Sequence, residues 1–240
     1  MPRNTMLPGA RRAGASSPGP ERGAFAPERE GPGGVKRQVV VAFLGLASWG
    51  ITVVLGFVLL LDYQFAQGES LPTPAEWPPG TGVVRDPGRP TLLIFLHPRC
   101  PCSEASLEEL ARLLARVPGR ATAMAILVKP PGARDAWEEG EIGEGVLRIP
   151  GVRLVVDTDG AEARRFGMRT SGAVAVYDAG GRLVFSGGIT AARGHRGDST
   201  GSHAILSLLD GNGPGLTGTP VFGCPLFSPP GAGSDHPCAE

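Results

Sequence analysis

Thr91-Leu-Leu-Ile-Phe-Leu-His-Pro-Arg-Cys-Pro-Cys-Ser103 is the stretch whose reading decides the fold. Leu92 to Leu96 is a short apolar run of strand length, and an unbroken run of that kind suits a strand buried on both faces. It stops at His97-Pro98. Two cysteines follow, separated only by Pro101, and an amphipathic pattern then begins, with Leu107, Leu110, Ala111 and Leu114 on one face of a helix from Ser103 to Val117. Pro118-Gly119 ends it. A thiol at such a strand-to-helix junction lies beside helix N-terminal amides, which stabilise the reactive thiolate.

Outward from this stretch, strands and helices alternate. Strands are expected at Ala121–Val128, Val152–Val156, Ala173–Tyr177 and Leu183–Phe185. The last two flank Asp178-Ala-Gly-Gly181, a hairpin signal. Ala133–Leu147 reads as a short helix plus loop, Asp157-Thr-Asp-Gly160 as a turn, and Ala161–Phe166 and Ser202–Leu209 as helices. Strands alternating with helices, closed by a hairpin, predict an α/β sandwich with a mixed sheet.

The ends have a different character. With 37 glycines and 24 prolines in 240 residues, concentrated outside the central segment, one folded domain is expected rather than two. Residues 1–35 lack aliphatic periodicity and read as a disordered tail. Val39 to Leu61 is uncharged and apolar, and exceeds the ~20 residues that cross a bilayer. Residues 36–63 are therefore expected to form a transmembrane anchor, with the bilayer around 39–61. Lys36 and Arg37 precede the span, and no Lys or Arg occurs from Asp62 to Gly82. The positive-inside rule then puts the N-terminus in the cytoplasm and the domain outside, at a cell inner membrane. Residues 64–82 read as a Pro-rich spacer, 83–210 as the domain, and 211–240 as a Gly/Pro-rich tail carrying Cys224 in an unexpectedly apolar setting, Val221-Phe-Gly-Cys-Pro-Leu-Phe227. Zero formal net charge argues against a nucleic-acid partner.

The Leu-Ile-Phe-Leu strand opening onto a cysteine pair, the segment VRLVVDTDGAEARRFG (152–167) and the hairpin AVAVYDAGGRLVFSGG (173–188) together resemble the thioredoxin superfamily. The resemblance is strongest to its membrane-anchored, extracytoplasmic TlpA/ResA-like branch. It implies a thioredoxin-like three-layer sandwich with a central mixed sheet, preceded here by one transmembrane helix, and thiol–disulfide chemistry without an organic cofactor. Two departures stand out. The family's Trp-Cys-x-x-Cys is here Arg99-Cys100-Pro101-Cys102, and its cis-proline falls by position on Gly172, after Thr170-Ser171. The missing proline suggests more room beside the sulfurs. Arg99, Ser171 and Gly172 are the expected substrate contacts.

In this reading Cys100 is the nucleophile, its thiolate favoured by the helix N-terminus and Arg99, and Cys102 or Cys224 resolves the mixed disulfide. The partners implied are extracytoplasmic protein disulfides or thiols and a membrane thiol electron donor. Cys238 lies in a polar terminus and is read as incidental. His97 either tunes Cys100 as a neighbouring cation or joins Cys100 and Cys102 as a copper ligand, with His195 or His203 as a distant further donor. That second use would make the protein a metallochaperone loosely similar to the Sco type. A redox-inactive binding module with stapled cysteines is a third reading. The long loop from Gly187 to Gly201 reads as a surface connection, and Glu104, Glu108 and Glu109 as a solvated helix face.

Overall fold

The computed structural model describes residues 32–129, 140–213 and 215–227. Residues 1–31 of the expected disordered tail, Trp137 and Cys238 lie outside them, whereas 32–35 belong to the first helix. The chain divides into two units, residues 1–53 and 54–240. The first described element is helix α1, Pro32–Phe65, the one described helix long and apolar enough to cross a membrane. Its apolar side chains, Phe43, Trp49 and Phe57 among them, are exposed along its length.

The folded domain runs β1 (Thr91–Leu96), α2 (Pro101–Arg116), β2 (Thr122–Lys129), α3 (Glu141–Leu147), β3 (Val152–Thr158), α4 (Ala161–Arg165), β4 (Ala173–Tyr177), β5 (Leu183–Gly188) and α5 (Thr200–Leu209). The sheet order is β3-β2-β1-β4-β5. β1 pairs parallel with β2 and antiparallel with β4, so the sheet is mixed with β1 at its centre. All six residues of β1 are buried. Leu92, Ile94 and Leu96 enter one core with Leu107, Leu110, Ile142, Ile205 and Leu209. Leu93 and Phe95 enter the other with Met124, Phe166 and Tyr177. Alternate residues of one strand thus feed two cores, as the period of two in a strand dictates. Helices α2, α3 and α5 cover one face and α4 covers the other, which gives the expected three-layer sandwich.

Several boundaries move for local reasons. Helix α2 begins at Pro101, two residues earlier than the apolar pattern shows, because proline fits the first helical position, where its missing N–H needs no partner. Cys102 therefore lies inside the first turn and Cys100 is the N-cap. β3 continues through Thr158, and the turn contracts to Asp159 and Gly160, both at positive φ. The buried Asp157 carboxylate accepts the N–H groups of Glu162 and Ala163 at 2.9 and 2.8 Å and caps α4. β5 reaches Gly188. Side chains at Gly187 and Gly188 would collide with Thr219 and Pro220, so glycines let another segment lie against the strand.

Two stretches that read as unstructured punctuation are built into the domain. The Pro-rich stretch before β1 runs along the hairpin: the N–H of Trp77 donates to the Gly181 carbonyl at 2.7 Å and that of Leu183 to the Ala75 carbonyl at 2.8 Å. The Trp77 ring packs edge-on against Phe166 and Tyr177, with centroids 5.3 and 5.1 Å away. After α5, residues 216–227 return as a strap. It bridges Ser186 to Gly218 and Thr170 to Pro225, and buries Val221 and Leu226 in the second core. Proline lacks a backbone donor, but it does not prevent an extended segment from packing at a sheet edge, where it also blocks strand addition.

Candidate functional site

The strand-to-helix junction positions two of the three described thiols. β1 ends on His97-Pro98, the Cys100 N–H donates to the His97 carbonyl at 3.3 Å, and the Ser103 N–H donates to the Cys100 carbonyl at 2.9 Å. Cys100 thus caps α2 with its sulfur at the helix N-terminus, and Cys102 follows one half-turn on. The strap delivers the third thiol. The Ser171 N–H donates to the Cys224 carbonyl and the Leu226 N–H to the Arg169 carbonyl, both at 2.8 Å. The sulfurs of Cys100, Cys102 and Cys224 all lie within 4.8 Å of one another. All three are free thiols.

The electrostatics are set by the sulfurs themselves. The Cys100 thiol is held far below its ordinary range, first by hydrogen bonds from the Cys102 and Cys224 thiols, and further by the N–H groups of Cys224 and Ser103. Cys102 is pushed up because its proton is committed to Cys100, and Cys224 is pushed up because it faces both other sulfurs. One thiolate shared among three sulfurs is the result. Arg99, expected to lower Cys100, is not among the principal causes, and the residue is exposed.

His97 does not act as a neighbouring cation. It is 3% exposed, and burial is the main reason its pKa is lowered. Its Nδ1 accepts the Arg99 N–H at 3.2 Å, so the ring is neutral. Its nitrogens lie outside the cluster of sulfurs, so the structure does not bring His97 together with Cys100 and Cys102 as the copper reading expects. His203 pairs with Asp198 at 3.5 Å, and neither it nor His195 joins the cluster.

Ser171 and Gly172, expected to contact substrate, are buried and engaged internally. The Ser171 hydroxyl bonds the Ser103 hydroxyl at 2.6 Å and accepts the His97 N–H at 3.0 Å. Gly172 has φ +87° and donates its N–H to the Phe95 carbonyl at 2.8 Å. Proline is fixed near φ −65° and has no N–H, so it is excluded there. The room expected beside the sulfurs is filled: a Cβ on Gly172 would lie 2.6 Å from the Ser106 hydroxyl, and the strap occupies the rest.

Residues that read in the sequence as a surface connection and a solvated helix face complete the site. Gly194, in the loop after β5, turns its N–H to the Cys102 sulfur. Arg196 of that loop bridges Glu104 and Glu108 at 3.2 and 3.1 Å. The Gly197 N–H donates to Glu109 at 2.6 Å. Glu109 is therefore buried rather than solvated, and the loop is latched onto the first half of α2. Cys100 is 1% exposed and Cys102 8%, while Cys224 remains partly exposed.

No family model and no curated protein matches the chain. Among solved structures it is similar to a hypothetical protein from Sinorhizobium meliloti, with 22% identity over 67% of this chain and 96% of that one, at a TM-score of 0.51. An uncharacterised conserved protein from Geobacillus kaustophilus aligns with 19% identity over 70% and 95% of the two chains, TM-score 0.49. A secreted Mycobacterium tuberculosis disulfide oxidoreductase aligns with 18% identity over 52% and 82%, TM-score 0.36. At such identities the likeness is one of fold alone; the mixed sheet β3-β2-β1-β4-β5 with helices on both faces is itself the thioredoxin-like sandwich expected.

Proposed function

We propose that the protein is a membrane-anchored, extracytoplasmic thiol–disulfide oxidoreductase whose nucleophile is Cys100. The observation that carries this reading is the convergence of three free sulfurs within 4.8 Å at the N-terminus of α2. A hydrogen-bonded thiolate at a helix N-terminus is the reactive form of cysteine. The Cys100 thiolate attacks a partner disulfide, forming a Cys100–partner bond and releasing the partner's second sulfur as thiolate. Cys102 or Cys224 then loses its proton and attacks the Cys100 sulfur. An internal disulfide forms and the partner leaves with both sulfurs reduced, so two electrons pass from the protein to the partner. A membrane thiol donor restores the dithiol by the reverse exchange. The chemistry calls for no organic cofactor.

Access sets a condition. Cys100 is sealed beneath the strap and the loop after β5, so a protein disulfide reaches it only when the strap lifts. Three backbone hydrogen bonds, at Val221, Cys224 and Leu226, and two buried side chains, Val221 and Leu226, hold the strap near the sulfurs, a limited set that reversible local opening can break.

The location rests on α1 and on charge. Lys36 and Arg37 precede the apolar span and none follows before Gly82, which favours a cytoplasmic N-terminus and a domain outside the inner membrane, in a compartment where disulfides persist. The test is an equilibrium redox titration of the full chain in detergent, with thiols counted by mass spectrometry. The expected result is loss of one pair of thiols per chain at a potential between about −300 and −120 mV. A chain that keeps all its thiols across that range would rule the reading out.

A further inference from the structure

We infer that Cys100, Cys102 and Cys224 form a trigonal all-sulfur site for a soft monovalent cation, copper(I). The argument begins with spacing. A thiolate–metal bond of about 2.3 Å, the length found with zinc, puts the three sulfurs of a trigonal site about 4 Å apart. The sulfurs here lie within 4.8 Å of one another, so an ion at their centre needs only small shifts of side chains.

The donor set selects the ion. Three thiolates and no other donor is a soft environment, and soft ligands favour copper(I). Zinc in a structural site takes four ligands. Among the described residues no histidine, aspartate, glutamate or further cysteine places a ligand atom with these three. Water is a poor fourth ligand here, because Cys100 and Cys102 are almost fully buried. The three sulfurs also come from independent anchors: a helix cap, the first helical turn and a strap pinned by backbone pairing to Arg169 and Ser171. A preset donor geometry of this kind holds an ion without ordering the chain anew.

Burial separates this role from disulfide exchange. A single ion can enter a cluster that a folded partner's disulfide enters only after the strap lifts. Binding replaces the thiol protons of Cys102 and Cys224 with the ion, releasing up to two protons per copper because Cys100 is already a thiolate, and needs no change in sulfur oxidation state. The inference therefore does not depend on the cysteines cycling between thiol and disulfide. Oxidation of any pair removes two of the three donors, which makes copper retention conditional on the reduced state.

The experiment is an anaerobic titration of the reduced full chain in detergent with the copper(I)–bicinchoninate complex, followed by X-ray absorption at the copper edge. One copper per chain is expected, with three sulfur neighbours and no nitrogen. Cys224→Ser is expected to weaken retention about tenfold or more, roughly 1.4 kcal/mol. Gly223→Ala, which keeps every thiol but disturbs the strap, is expected to weaken it in the same direction, whereas His97→Ala leaves it unchanged. Circular dichroism of each variant separates lost folding from lost ligation. Failure to take copper from bicinchoninate would overturn the inference. So would a nitrogen neighbour lost with His97→Ala, or undiminished binding in a folded Cys224→Ser chain. Preference for zinc in direct competition would also overturn it.

Discussion

The backbone N–H of Ser171 donates to the carbonyl oxygen of Cys224 across 2.8 Å. These residues are distant in sequence, yet this one bond fixes the third thiol beside the other two. Gly223 makes it attainable, since a side chain there would run into the Ser171 carbonyl. Gly223→Ala is therefore expected to lift the strap. Alkylation of Cys100 by iodoacetamide should accelerate by an order of magnitude or more, and Cys100–Cys224 disulfide should disappear from the mildly oxidised chain. The loss of stability should be about 1–3 kcal/mol, the range for disrupting one packed contact. Peptide mapping and alkylation kinetics check both.

Charge on the cluster supplies a pH test. The ordinary thiol value is 9.0, and the Cys100 value lies well below it because the other two thiols donate to its sulfur. A depressed value means the thiolate is already present at neutral pH and is lost only on strong acidification. The raised Cys102 and Cys224 stay protonated until the pH passes above 9.0. Ultraviolet thiolate absorbance of the reduced chain should correspond to about one thiolate at pH 7, against a few per cent for free cysteine. That signal should vanish in Cys100→Ser. In Cys102→Ala/Cys224→Ala, which removes both side-chain donors, the midpoint should move up towards 9.0.

Gly172→Pro restores the residue that the thioredoxin resemblance expects, and it should be harmful. Proline at φ +87° is not accessible, and the bond from Gly172 N–H to Phe95 would be lost. A cost of about 3 kcal/mol or more is expected, read as a lower urea midpoint or as failure to fold. A stable, active Gly172→Pro chain would show that the loop carries a different backbone.

Trp77 tests whether the Pro-rich stretch belongs to the domain. Its ring contacts Phe166 and Tyr177, residues of the second core. Trp77→Ala in the full chain should destabilise the domain by about 2–4 kcal/mol, somewhat below or within the range for a fully buried aromatic. An independent spacer would leave thermal unfolding unchanged.

Ser171→Ala removes a hydroxyl that bonds both Ser103 and the His97 N–H inside the protein. Leaving those buried groups without that partner should cost about 1–3 kcal/mol. The thiolate should persist, because its hydrogen bonds come from other residues.

Much of this was written locally. Five apolar residues from Leu92 to Leu96 define the central strand, since their alternation has to feed cores on both faces. Val152–Thr158 and the hairpin around Asp178 carry their own period and turn signals. The cysteine pair and its helix are adjacent in the chain, so their juxtaposition follows from 100 to 103 alone. Helix α2 starts two residues before its apolar pattern, because Pro101 continues no such pattern and acts only by needing no hydrogen-bond partner.

What the tertiary structure decided is the company Cys100 keeps. The apolar run Val221–Phe227 marked a segment worth burying but not where it would lie. Its pairing with Arg169–Ser171, the glycines at 187, 188 and 223 that permit close approach, and the latch from Arg196 to α2 all join residues far apart in sequence. Periodicity reports which side of an element is buried. It carries no information about which distant segment covers it, because that choice is made by packing and backbone pairing after the chain has closed. The sequence therefore determined a strand, a helix and two thiols at their junction. The fold added the third thiol, left His97 outside the sulfur cluster and buried Cys100 and Cys102.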